Sequence, residues 1–318
     1  LAESFVVYPL VFMVGLLLIT FPLFFLSTTT DAFVLPKQLL LIGLTSLALI
    51  VFGLKTLTEG KLKLRTSPFD LPIALFLIVS FLSAIFSGNR YDALTAVVPL
   101  LFVGMLYFVI VNTAKGERQL LFLLSSLTIG ATVSAVLTIL SFFNVHVLPF
   151  AYTHTQSFTT LGSLLDQALY FALVLPIAGY FGYSFISSMN SNKKVSTPFS
   201  VDAQAHQTKK HHGSLASFGL AFIIISVGLG LTVYMLLTTQ KPLILPLDTG
   251  LQTAFAAISQ GSSNVFKSLL LGSGFGTYLN DFTQFKSPAF NANPTLWAFT
   301  FFRSSSFALE ILATTGLL

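Results

Sequence analysis

The chain has 318 residues, of which 54% are hydrophobic and only 8% are charged, with no cysteine and a formal net charge of +5. Soluble domains carry about 25% charged residues to cover their surface, so a water-soluble globular enzyme is excluded, and 34 Phe among long aliphatic runs exclude disorder. Without cysteine there is no disulfide framework, no thiolate metal site and no thiol nucleophile. An integral membrane protein remains.

A spanning helix needs about 20 mostly apolar residues, because the hydrocarbon core is about 30 Å thick and each helical residue rises about 1.5 Å. Seven segments qualify, at 8–26, 35–54, 71–86, 93–111, 120–143, 164–186 and 215–237, and an eighth begins near Ser304. The runs are continuously apolar, whereas a barrel strand alternates over about ten residues. Pro9, Pro22, Pro72, Pro99 and Pro176 fall within the runs or at their ends, where neighbouring helices can satisfy the freed carbonyls. The first run has neither a basic leader nor a small-residue cleavage site, so it reads as a span and not a signal peptide. The expected fold is an all-α polytopic transmembrane bundle over residues 1–237, with a flexible polar linker at 190–213. A long external loop at 238–303 separates spans seven and eight, and 304–318 is the start of the eighth. The chain opens without Met and stops inside an apolar run, so a longer, C-terminally truncated protein is expected.

Basic residues set the orientation. Lys55, Lys61, Lys63 and Arg65 follow span two, Lys115 and Arg118 follow span four, and Lys193, Lys194, Lys209 and Lys210 follow span six. The alternate short loops hold only Lys37 and Arg90, and the loop around His146 and His154 holds none. Such asymmetry predicts a cytoplasmic N-terminus and places 238–303 outside, at the plasma (inner) membrane of a multi-pass protein. The basic balance is then that of cytoplasmic loops, with attraction to anionic lipid. A nucleic-acid partner is not expected, because no basic stripe with stacking aromatics occurs.

Soluble-enzyme signatures are absent: no phosphate loop, no His-Glu-x-x-His and no nucleophile elbow with triad partners. The His146/His154 and His211/His212 pairs have no acidic or cysteine partner nearby and read as solvated loop residues, so neither a metal nor a cofactor is expected. Residues 251–258 repeat apolar side chains at helical spacing, which suits an amphipathic helix on the bilayer or over a cavity. The run Gly272-Ser273-Gly274-Phe275-Gly276-Thr277-Tyr278 is either a tight turn or a backbone approach to an anion. Arg303, Ser306 and Glu310 stand at i, i+3 and i+7, one face of a helix. A carboxylate two turns into an apolar helix is costly unless it meets a polar cavity or a partner. Its bland alternative is an Arg303 that snorkels to headgroups. Asp31, Asp92 and Asp166 read as helix caps.

Three elements together resemble the O-antigen ligase and polymerase family of bacterial envelope glycosyltransferases. The first is Thr30-Asp31-Ala32-Phe33-Val34-Leu35-Pro36-Lys37-Gln38 with Asp70-Leu71-Pro72 and Phe81-Leu82-Ser83-Ala84-Ile85-Phe86-Ser87. The second is Gly272, Gly274, Gly276 and Tyr278 in the long external segment. The third is Ser305-Ser306-x-x-Leu309-x-x-Leu312-x-x-x-Gly316, which is similar to the family's His-Asn-x-x-Leu-x-x-Leu-x-x-x-Gly motif. The resemblance implies transfer or polymerisation of an undecaprenyl-diphosphate-linked glycan onto a glycan or lipid acceptor at the outer face of the inner membrane, without nucleotide or obligatory metal. It departs at two places: Ser305 occupies the motif's His position, and 157–163 has no counterpart of the family's Arg before span six. The implied site is therefore Arg303 as the external cation, Glu310 as its orienting group or a base, and Ser305. Gly272, Gly274, Gly276, Tyr278, Lys267 and Lys286 would contact substrate. A lipid-linked glycan flippase or transporter and a non-catalytic membrane scaffold are the alternatives.

Overall fold

The computed structural model describes the backbone of residues 2–29, 31–60, 64–114, 116–192, 205–238, 245–260, 265–292 and 297–317. The first helices are α1 (Ala2–Thr20), α2 (Val34–Glu59), α3 (Asp70–Ile85), α4 (Arg90–Thr113) and α5 (Glu117–Phe142). A 3-10 turn, Ala151–Thr153, precedes α6 (Leu164–Asn192) and α7 (Ala205–Thr238). Then come α8 (Leu247–Gln260), α9 (Val265–Leu271), α10 (Tyr278–Phe285), α11 (Pro288–Ala292) and α12 (Phe307–Thr315). No strand occurs among the described residues.

Helices α1 to α7 overlap the seven apolar segments, although α1 ends at Thr20, short of the expected 26, and α7 starts at Ala205, ahead of the expected 215. Val34–Thr58, Arg90–Thr113, Glu117–Phe142 and Gly219–Thr238 are long and apolar enough to cross a membrane, while Tyr8–Thr20, Asp70–Ile85 and Leu164–Tyr180 are shorter apolar helices. Large apolar side chains also cover the outward faces, as with Leu39, Ile50 and Leu54 on α2 and Leu169 and Leu173 on α6. A helix apolar all round is what a hydrocarbon environment selects. Two segments differ from the sequence reading. The linker at 190–213 is helical at both ends, since α6 runs through Asn192 and α7 starts at Ala205; residues 193–204 lie outside the described ones. Among its described residues the segment 238–303 contains four helices, α8 to α11, each too short to span.

The chain divides into two compact units. Unit 1 joins Leu1–Lys61 to Thr113–Pro242. In it α1 packs on α2 and α5, and α5, α6 and α7 pack on one another. Its core gathers Ala131, Ala135, Phe171, Val174, Ala178 and Ile225. A Cβ on Gly228 would sit 2.8 Å from Ala135 Cβ, so α5 and α7 approach across small residues. This is the usual means of helix association where lipid removes the hydrophobic drive. Unit 2 joins Leu62–Asn112 to Leu243–Leu318 and holds α3, α4 and α8 to α12. Its core centres on Tyr278, Phe282, Phe290, Ala254, Ala257 and Ala313. Within it Phe282, Phe290 and Phe301 meet edge-on at centroid distances of 5.3–6.1 Å.

Candidate functional site

Every side chain singled out for chemistry lies in unit 2. Helix α12 begins at Phe307, and Ser306 is its N-cap, in extended backbone with its Oγ accepting from the Leu309 N–H at 3.3 Å. Arg303 and Ser306 therefore precede the helix and do not share a helical face with Glu310. They meet it another way. The segment turns so that the Ser304 backbone N–H donates to the Glu310 carboxylate and the Arg303 charge acts on it. Arg303 is exposed and Glu310 is half-buried. A cation at the surface thus faces a carboxylate anchored one layer in.

The same unit holds a cluster of buried hydroxyls. Tyr278 is fully buried at the start of α10, and among the described residues its hydroxyl, Ser304 Oγ and Ser305 Oγ have no settled hydrogen-bond partner. The Ser304 and Thr253 hydroxyls stand beside the Tyr278 hydroxyl. Burial pushes the phenol above its ordinary value, so Tyr278 is held as a neutral donor. Ser305 Oγ fills the space over Gly250, where a side chain on α8 would collide with it. A buried hydroxyl left unpaired costs about 1–3 kcal/mol, and three together are what a polar ligand or ordered water would satisfy.

The glycine run leads into Tyr278 and is held by the protein's own carbonyls. Gly272 N–H closes α9 on Ser268 O at 2.9 Å, and the N–H groups of Ser273 and Gly274 donate to Ala313 O and Thr314 O at 3.1 and 2.9 Å. The amides of Gly272 and Gly274 are thus engaged by protein carbonyls, and the run works as a turn locked to the end of α12. Gly274 has φ +132, and a side chain there would run into Ser87. Ser83 Oγ on α3 and Ser87 Oγ just after it donate to Thr314 O and Ser273 O at 2.7 and 2.8 Å. Lys267 lies on α9, and Lys286 directly follows α10, its N–H donating to Phe282 O at 2.9 Å.

The sequence reading passed over Asp281. This carboxylate is 3% exposed, and Ser273 Oγ donates to its Oδ2 at 2.6 Å. Burial pushes its pKa up to about 7, against the opposing effect of the Ser273 hydrogen bond. The signal was present: Tyr278, Asp281, Phe282 and Phe285 recur at i, i+3, i+4 and i+7, so Asp281 stands on the core face of a short amphipathic helix. Among the described residues no cluster of three His, Asp or Glu could hold a metal. No protein-family model, curated protein or solved structure matches the chain.

Proposed function

We propose that the chain transfers or polymerises a lipid-linked oligosaccharide at the outer face of the inner membrane, with its N-terminus in the cytoplasm. What supports the reading is an exposed Arg303 whose charge acts on the half-buried Glu310 carboxylate, in the same unit as the buried hydroxyls of Tyr278, Ser304 and Ser305. In this reading the acceptor hydroxyl oxygen attacks the anomeric carbon of the donor, and the bond from that carbon to the undecaprenyl diphosphate breaks. The diphosphate leaves with the electron pair, and the acceptor proton passes to Glu310. Arg303 neutralises the leaving group through charge-assisted hydrogen bonds, which is the main electrostatic task of the step. Ser305 and Tyr278 orient sugar hydroxyls, while the glycine run holds α12 in place and Lys267 and Lys286 add positive potential.

The test uses the chain in proteoliposomes with an undecaprenyl-diphosphate oligosaccharide. Arg303→Ala is expected to slow transfer about 10²- to 10³-fold and Glu310→Gln about 10²- to 10⁴-fold. Wild-type turnover in both variants removes the assignment and favours the scaffold reading.

A further inference from the structure

The short helices of unit 2 differ in what they turn outward. Helix α10 buries Tyr278, Asp281 and Phe282 and exposes Thr283 and Gln284, as an amphipathic helix in water does. Helix α8 buries Thr253, Ala254, Ala257 and Ile258, yet Leu247, Leu251 and Phe255, at i, i+4 and i+8, are 61%, 38% and 61% exposed. The residues exposed beside that stripe, Asp248, Gln252 and Ser259, are polar. Val265, Phe266 and Leu269 on α9 are exposed as well. An apolar stripe with a polar flank, on a helix too short to span, is the pattern of a helix lying in a membrane surface.

Packing sets the depth of these helices. Helix α9 packs against both α3 and α8. Ser83 and Ser87 donate to Thr314 O and Ser273 O, and Phe275 packs against Ala84, Ala93 and Val97, where α3 ends and α4 begins. The short helices are thus fastened to one end of α3 and α4, which are both apolar, and α4 is long enough to cross a membrane. Near that end α3 exposes Phe81, Leu82, Ile85 and Phe86, so outward apolar side chains are shared by three helices in contact, α3, α9 and α8. Aromatic rings extend the set: Phe302 and Phe307 are exposed on either side of Ser304 and Ser305, which lie over Gly250 of α8. Exposed aromatic rings at the end of a spanning helix settle at the level of the headgroups.

We propose that α8 and α9 dock unit 2 on the lipid bilayer, with Leu247, Leu251 and Phe255 at the boundary between headgroups and acyl chains and the outer side of α10 in water. The occupant is lipid because the exposed stripe continues the apolar surface of α3, and because the stripe itself carries no charge that a charged partner would match. Docking depends neither on glycan transfer nor on which leaflet is met.

The experiment uses tryptophan emission. The sequence contains a single tryptophan, Trp297, which is exposed, so Trp297→Phe leaves a background for one reporter at a time. Phe255→Trp on α8 and Thr283→Trp on α10 are compared in the full chain, reconstituted in phosphatidylcholine vesicles. One quencher is phosphatidylcholine brominated near the start of its acyl chains, and the other is iodide on both sides of the membrane. Phe255→Trp is expected to emit to the blue, to lose its emission to the brominated lipid and to be spared by iodide, and Thr283→Trp to do the reverse. Quenching of Phe255→Trp by iodide alone overturns the proposal, since the stripe then faces water. Emission that neither quencher reaches also overturns it and shows a second copy or another protein segment over the stripe. Bromine quenching of both reporters overturns it too, because α10 then lies in lipid as well. Should Phe255→Trp not fold, Leu251→Trp on the same stripe takes its place with the same outcomes.

Discussion

At the scale of single residues, Asp281 is the group whose state depends most on its surroundings. Its folded pKa lies near 7, above the ordinary carboxylate value of 3.8. Below that lower value both the folded and unfolded chains carry the proton. Between the two values the folded state keeps it while the unfolded state has lost it, so raising pH favours unfolding. Stability linked to Asp281 is therefore complete in acid, falls as pH rises towards 7, and levels off above. Asp281→Asn, a permanent neutral that can still accept from Ser273, should remove this component. The check is thermal unfolding in detergent across that window, where the wild type loses stability relative to the variant. Parallel curves would show that Asp281 is already ionised throughout. The same attention to single groups refines the capping residues. Asp31 stands two residues before Phe33, the N-cap of α2, and its Oδ1 accepts from the N–H groups of Phe33 and Val34. Asp92 instead sits in the first turn of α4 and pairs with Asn89, whose Nδ2 donates to it at 2.5 Å. Asp166 likewise sits inside the first turn of α6, where Ser163 Oγ accepts from its N–H at 3.4 Å. An acidic residue at a helix start is favourable in either position, because the exposed N–H groups and the helix dipole both attract negative charge.

Among the elements, the glycine run and α12 depend on each other most closely. Gly274 combines left-handed backbone with contact to Ser87, and its N–H bonds Thr314 O. Gly274→Ala is expected to destabilise unit 2 by about 2–4 kcal/mol, one part from the backbone conformation and one from overpacking. Adding Ser87→Gly to Gly274→Ala should recover the overpacking part alone, and comparison of the four chains by thermal unfolding separates the two. A Gly274→Ala chain as stable as wild type would show that the turn is free to move. This turn also shows what was legible in the sequence. Helices α1 to α7 could be read because each rests on a long apolar run, a local property. Helix α8 could be read from its periodicity, and its buried Thr253, Ala254, Ala257 and Ile258 do lie at helical spacing. The glycines marked a special backbone, but their partners Ser83, Ser87 and Thr314 lie far away in sequence, and no local pattern names them. The start of α12 was misplaced for a related reason. Arg303 and Ser306 fit a helical spacing with Glu310, yet Ser306 is worth more as a cap, and the residues before it fold back onto the carboxylate. Asp281 is harder to read than Glu310, because α10 is short and mixed and sets its carboxylate in no apolar run.

For the whole molecule, the apolar helices establish compatibility with a membrane, and the direction of insertion is an expectation drawn from the distribution of Lys and Arg. That asymmetry acts during insertion and leaves no mark on internal packing, so it calls for a measurement across a bilayer. The absence of cysteine makes the measurement clean, since any thiol introduced is the only one present. Thr58, exposed near the end of α2, should be inside, and Ser259, exposed near the end of α8, should be outside. In intact cells a membrane-impermeant maleimide is expected to label Ser259→Cys and spare Thr58→Cys, with both labelled after permeabilisation. The outcome bears directly on chemistry. Arg303 and Glu310 share unit 2 with α8, and a lipid-linked glycan donor on the outer leaflet can be reached only from that side. Labelling of Thr58→Cys alone would reverse the topology and withdraw the transferase proposal.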